Sequence, residues 1–268
     1  MIEFLEQYVA SERSAEGKIN RLREALQVSA LKILQDKGCF AYLAFVGGTA
    51  LRLLYDMRRF SEDLDFSVIG KKNYDFRKIT LFLKDEFRLR GIEIDEKTKS
   101  VKTVQSSMLK FPGLLKTLGI SAHRDQKLSI KLEADSNPPR GWHIENTVVN
   151  RVYILNITHF TLPSLYATKL HACFCRKYTK GRDFYDLVWY LGKKIKPNYT
   201  LLNNAILQTE GRNPGLSDKN MKDFLVDRLQ KVNFNSIKKD VERFLEDKSE
   251  LTLLEEPLIA KGIADIFG

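Results

Sequence analysis

Phe45-Val46-Gly47-Gly48-Thr49-Ala50-Leu51-Arg52, followed by Phe60-Ser61-Glu62-Asp63-Leu64-Asp65-Phe66-Ser67, decides how this chain reads. An apolar run meets a Gly-Gly pair, then a short basic helix, then a strand carrying Asp-x-Asp. Alternate side chains of a strand share a face, so Asp63 and Asp65 are expected to project together while Leu64 and Phe66 enter a core. Two carboxylates this close repel each other unless a cation lies between them. Hard oxygen ligands of this kind suit Mg²⁺, which takes one or two carboxylates plus substrate phosphates. The glycines upstream let the backbone approach a ligand closely. The N–H groups there, with the helix N-terminus that follows, attract phosphate. Either half alone reads as an ordinary turn or as solvated surface. Together they supply the parts needed for phosphoryl or nucleotidyl transfer.

Outward from this unit, residues 15–37 are predicted to be helical, with Ile19, Leu22, Leu26, Leu31 and Leu34 at helical spacing and Gly38 as the stop. Residues 41–46 read as a buried strand, 49–55 as the helix after the glycines, 63–69 as the Asp-x-Asp strand, and 74–90 as an amphipathic helix. Helical periodicity then fades. Strand-like runs occupy residues 101–111, 128–134 and 148–155, separated by Phe111-Pro112-Gly113 and Asn137-Pro138-Pro139. Ser129 to Asp135 alternates, with Ile130, Leu132 and Ala134 one way and Lys131, Glu133 and Asp135 the other. From Pro163 the pattern is helical, over 163–177, 182–193, 199–209, 217–231, 235–247 and 256–267. The expected class is α+β, with a mixed sheet and flanking helices in residues 1–158, which open on a helical segment at 1–38, and an all-α domain in residues 159–268.

Of the 268 residues, 43% are hydrophobic and 29% charged, ample for a core. No apolar run has the length of a membrane span, and the acidic start Met1-Ile2-Glu3-Phe4-Leu5-Glu6 lacks the form of a signal peptide. A cytoplasmic protein without a membrane partner is expected. Three cysteines, Cys39, Cys173 and Cys175, argue against a disulfide framework. His171, Cys173 and Cys175 lie in a helical stretch where only His171 and Cys175 share a face, so a helix face is favoured over zinc. The net charge is +10, and it is concentrated. Residues 97–131 hold eight lysines and arginines against Asp125, and residues 169–196 hold eight against Asp183 and Asp186. Such clusters favour polyanions through steering and counterion release, so a nucleic acid or a phosphate-rich substrate is expected.

A second constellation lies in the helical part, with Lys169 in Ala167-Thr168-Lys169-Leu170 and then Gly181-Arg182-Asp183-Phe184-Tyr185-Asp186-Leu187. Asp183 and Asp186 share a face near a helix start, where the dipole favours acids. On local grounds alone these are helix-stabilising acids and a solvated lysine.

Gly47-Gly48-Thr49-Ala50-Leu51, then Arg59-Phe60-Ser61-Glu62-Asp63-Leu64-Asp65-Phe66, then Lys169 and Arg182-Asp183-Phe184-Tyr185-Asp186-Leu187, together resemble the AbiEii/AbiGii toxin family of the nucleotidyltransferase superfamily, whose fold resembles DNA polymerase β. The resemblance implies an enzyme that moves a nucleotide from a nucleoside triphosphate (NTP) to an acceptor hydroxyl, with Mg²⁺, or Mn²⁺ in its place. It also implies a toxin with a cognate antitoxin. The basic stretches would hold an RNA acceptor, which the resemblance implies is a tRNA 3′ end. By the resemblance, Asp63 and Asp65 match the metal-binding pair. Gly47 and Gly48, with Thr49 and Ser61, match the nucleotide-phosphate turn. Lys169 matches the lysine that offsets triphosphate charge, and Asp183, with Arg182 beside it, matches the later acid. Superfamily members add a third carboxylate on an adjacent strand, for which Glu133 is the first candidate and Asp135 the second. Two alternatives carry through: transfer to a small molecule or a protein, and a non-catalytic nucleic-acid- or partner-binding module on the same fold.

Overall fold

The computed structural model describes residues 1–99, 102–122, 126–176, 178 and 180–268. The chain forms two compact units. One comprises Met1–Asp56, Phe60–Pro138 and Glu145–His159; the other comprises Met57–Arg59, Pro139–Ile144 and Phe160–Gly268.

The first unit is built on helices α1 (Ile2–Val9), α2 (Ala15–Asp36), α3 (Gly47–Tyr55), α4 (Phe76–Leu89) and α5 (Leu114–Thr117). Its strands are β1 (Leu43–Val46), β2 (Asp63–Val68), β3 (Asp95–Lys99), β4 (Val104–Phe111), β5 (Leu128–Asp135), β6 (Ile144–Asn150) and β7 (Ile154–Phe160). They form one mixed sheet in the order β3-β4-β5-β2-β1-β7-β6. β2 runs parallel to β5 and antiparallel to β1; β1 runs parallel to β7. Ser14 caps α2 by accepting from the Gly17 N–H at 2.9 Å, and Asp75 caps α4 by accepting from Arg77 and Lys78. The apolar stripe of α4 (Ile79, Leu83, Phe87) joins the buried positions of α2 and Leu64, Phe66, Leu109, Phe111, Ile130 and Leu132 of the sheet in one core. That core covers one face of the sheet and leaves the alternate positions of β2, β4 and β5 on the other.

The second unit is helical: α6 (Leu162–Phe174), α7 (Gly181–Gly192), α8 (Tyr199–Glu210), α9 (Met221–Leu229), α10 (Phe234–Val241) and α11 (Glu256–Phe267). α7 packs on α6, α10 and α11, and α6 also packs on α8. Tyr166 and Tyr190 stack with ring centroids 4.2 Å apart. Among the described residues no helix is long and apolar enough to cross a membrane.

The α+β class holds: a seven-strand mixed sheet with flanking helices, then helices alone. Several expected elements differ. The strand expected over 148–155 is two strands, β6 and β7, joined through residues 151–153, where the Arg151 N–H donates to the Tyr153 carbonyl at 3.2 Å. Two half-exposed strands meeting at a tight turn look like one apolar run. Asp-Glu-Lys-Thr-Lys has no apolar alternation and so gives no strand signal, yet it forms β3, an edge strand that among the described residues pairs with β4 alone. The strand expected from residue 101 begins at Val104, and residues 100–101 lie outside the described residues. The helix expected over 235–247 stops at Val241, where one tight turn, Glu242–Phe244, leads into extended Leu245. The helix after the glycines includes them, starting at Gly47 rather than Thr49.

Candidate active site

The geometry begins with β2. Asp63 and Asp65 sit half-buried on one face, alternating with buried Leu64 and Phe66. Gly47 has φ +80°, a conformation disfavoured for residues with a Cβ. A Cβ built on Gly47 would overlap the Asp65 carboxylate. Backbone and carboxylate therefore meet at the junction of β1 and α3 because one residue lacks a side chain. Gly48 and Thr49 follow, both buried in the first turn of α3.

Side chains from two helices then fix the start of β2. Gln27 of α2 donates to the carbonyls of Ser61 at 3.1 Å and Asp63 at 3.4 Å. The Thr49 hydroxyl donates to the same Asp63 carbonyl. Glu24 of α2 accepts from Tyr8 at 3.1 Å and from Arg21 at 3.4 Å, and pairs with Arg52 of α3. The Arg52 guanidinium lies over the Phe60 ring, 4.1 Å from its centroid. Ser61 is buried, and its carbonyl is a fixed point of this frame.

Pairing brings a third acid in. Asp63 is the register partner of Lys131, and Asp65 of Glu133. Register partners share a face, so all four project together. The Lys131 ammonium contacts Glu133 Oε1 at 2.7 Å. Burial alone would lower the Lys131 pKa, but Glu133, and then Asp63 and Asp65, hold it above the usual lysine value. Asp135, the second candidate, pairs with Ser67 one step further along and accepts from the Asn137 N–H at 2.9 Å. Burial raises its pKa.

In the second unit, Lys169 is buried with its ammonium 2.7 Å from Asp183 Oδ1 and 2.7 Å from Asp186 Oδ2. Arg59 grips Asp186 with both prongs, Nε to Oδ1 and Nη2 to Oδ2, each at 2.6 Å. Arg176 approaches Asp183 Oδ2 at 3.4 Å. Burial alone would lower the Lys169 pKa, yet Asp183 and Asp186 hold it above the ordinary value. Burial alone would raise Asp183, yet Lys169 and Arg176 hold it below. Both partners are thus charged and satisfied. Arg182 lies over the Phe244 ring, 4.4 Å from the centroid. His171 bonds Thr209 through Nε2 at 2.9 Å, while the buried Cys173 thiol donates to the Asp183 carbonyl at 3.2 Å. Of the basic stretches, Arg124 and Lys177 lie outside the described residues.

The donor set suits a divalent cation that also binds phosphate. Asp63 and Asp65 offer oxygens on one face, beside a backbone that Gly47 opens. No group of three or more His, Cys, Asp or Glu side chains is arranged to hold a metal among the described residues.

The family model described as nucleotidyl transferase AbiEii toxin, type IV toxin–antitoxin system, matches residues 29–256, which include Gly47, Asp63, Asp65, Glu133, Lys169 and Asp183 but not Glu24 and Gln27 of the supporting frame. The chain belongs to the AbiEii family. It is a nucleotidyltransferase of toxin–antitoxin type, with a nucleotide as substrate and an antitoxin as counterpart. Two solved structures share the fold. The crystal structure of JHP933 from Helicobacter pylori is 21% identical with a TM-score of 0.53, over 91% of this chain and 91% of that one. A candidate nucleotidyltransferase from H. pylori is 22% identical with a TM-score of 0.53, over 91% of this chain and 96% of that one. At these identities the likeness concerns the fold. No curated protein matches the chain in sequence.

Local sequence reasoning missed Gln27, Glu24 and Arg59. The signal for the first two was present: polar residues on α2 within the stripe that carries Leu22, Leu26 and Leu31. Buried polar groups need partners, and these two hold the site's frame.

Proposed function

We propose that this AbiEii-family enzyme transfers a nucleotide from an NTP to a hydroxyl of RNA, the 3′ end of a tRNA, in the cytoplasm. One observation carries the reading: the Asp63–Asp65 pair shares a face beside a Gly47 backbone that has no room for a Cβ. Asp63 and Asp65 would hold a divalent ion, Mg²⁺ or Mn²⁺, which supplies charge stabilisation at the phosphates. Gly47, Gly48 and the first N–H groups of α3 face the triphosphate and orient it. Gln27 and Thr49 keep the β2 backbone from shifting as the carboxylates load. Glu133 accepts the proton of the attacking hydroxyl once Lys131 turns away. Lys169, Arg182 and Asp183 keep the parts that the family resemblance implies. The acceptor hydroxyl attacks the α-phosphorus, the bond to the β-phosphate oxygen breaks, and pyrophosphate leaves.

The test is incubation with each labelled NTP, Mg²⁺ or Mn²⁺, and total RNA. Label at RNA 3′ ends is the expected result. Label in a protein or small-molecule fraction would reassign the acceptor. No label with either ion would leave the fold serving only as a binding module.

A further inference from the structure

The register of the sheet extends the carboxylate face outward in two rows. One runs Asp63, Lys131, Met108, Lys97; the other runs Asp65, Glu133, Ser106, Lys99. A neighbouring row places Ser129, Lys110 and Asp95 on the same face. Three interstrand steps of about 4.8 Å put the β3 lysines some 14 Å, to order of magnitude, from the β2 carboxylates. All four lysines of β3, β4 and β5 (Lys97, Lys99, Lys110 and Lys131) fall on this face. Lys97 and Lys99 are exposed, and none of Lys97, Lys99 and Lys110 has an ion pair among the described residues. On the outer two strands these three face a single acid, Asp95, which meets Lys127 at 3.4 Å. Charge is therefore sorted along the rows, acidic at β2 and basic at the sheet edge.

We propose that the open face of β3, β4 and β5 is a track for the phosphate backbone of a single-stranded nucleic acid, whose end reaches Asp63 and Asp65. This rests on the reading of the acceptor as RNA and says where that RNA lies. Ammonium groups without protein anions release counterions when phosphates take their place, and they position a strand without reading its bases. Ser106 and Met108 supply the hydroxyl and the apolar contact between the two charged ends. Lysines on an edge strand also discourage edge-to-edge pairing, a role that calls for no alignment with the metal-site rows.

The test uses the full chain with Asp65→Asn, so that no turnover occurs, and a labelled single-stranded RNA. Lys97→Gln, Lys99→Gln and Lys110→Gln are combined in that background. Affinity is expected to fall about 10- to 100-fold at moderate salt, and the slope of log K against log salt to flatten by about 2, near 0.7 per lost phosphate contact. NTP binding by calorimetry should not change. A control pair, Lys78→Gln with Arg88→Gln on α4 across the core, should leave RNA affinity as it was. Unchanged affinity and slope in the triple variant would overturn the track alone, as would an equal loss from the control pair or a loss of NTP binding. If the Asp65→Asn chain with all its lysines binds no RNA, the RNA-acceptor reading falls and the track falls with it.

Discussion

Gly47 and Asp65 occupy space that only a glycine can share: a Cβ at the first position would overlap the carboxylate at the second. Gly47→Ala therefore incurs two costs, the backbone at φ +80° and the overlap. The first is of order 1–3 kcal/mol. The second is specific to Asp65, so the two sites should couple. In a double-mutant cycle read by chemical denaturation, Gly47→Ala is expected to destabilise less in an Asp65→Ala chain, by about 0.5–3 kcal/mol. Additive effects would mean the two groups do not meet. Transfer activity of Gly47→Ala should fall by about 10²-fold, the scale of an ångström's misplacement.

Lys131 holds a positive charge on the face where the proposed metal ion would bind. Its ammonium pairs with Glu133 at 2.7 Å and feels Asp63 and Asp65. Lys131→Gln removes a competing cation, so Mn²⁺ affinity measured by calorimetry or magnetic resonance should rise several-fold. An unchanged or lower affinity would show that the ammonium does not oppose the ion.

Asp186 is fully buried between Arg59 and Lys169. Breaking a buried pair strands the partner's charge, at a cost of about 3–5 kcal/mol. Asp186→Ala is expected to lose that much in urea denaturation. A loss below about 1 kcal/mol would mean that water reaches the cluster.

The pH dependence follows from Asp183. Burial would raise its pKa, but Lys169 and Arg176 bring it below the usual value. The native state thus holds this proton less readily than the unfolded chain. The resulting stability is present above about pH 4, the unfolded aspartate value, and is lost as pH falls through the lower folded value. Urea midpoints from pH 7 to pH 3 should fall less steeply for Asp183→Asn than for the parent chain.

Much of the site's outline was legible because its logic is local. The alternation of Asp63-Leu64-Asp65-Phe66 declares a face, and the glycines before α3 declare a close approach. The alternation of β5 put Lys131, Glu133 and Asp135 on one side, but only pairing could say which of them faces Asp65. Register is a long-range property, fixed by the shared core rather than by residues 128–135 alone. The same limit hid Arg59 and Asp186, which are 127 positions apart and were read as a motif flank and a helix-start acid. β3 was illegible for a different reason: an edge strand with one partner needs no apolar alternation.

The most direct measurement is the incorporation of α-labelled NTP into RNA by the intact chain and by Asp63→Asn and Asp65→Asn, with melting temperatures recorded beside it. Loss of one charge partner at a reacting phosphate commonly costs on the order of 10²–10³ in rate. Each variant should lose at least that much while keeping a parent-like melting temperature. Near-parental incorporation by either variant would contradict a site centred on these two carboxylates.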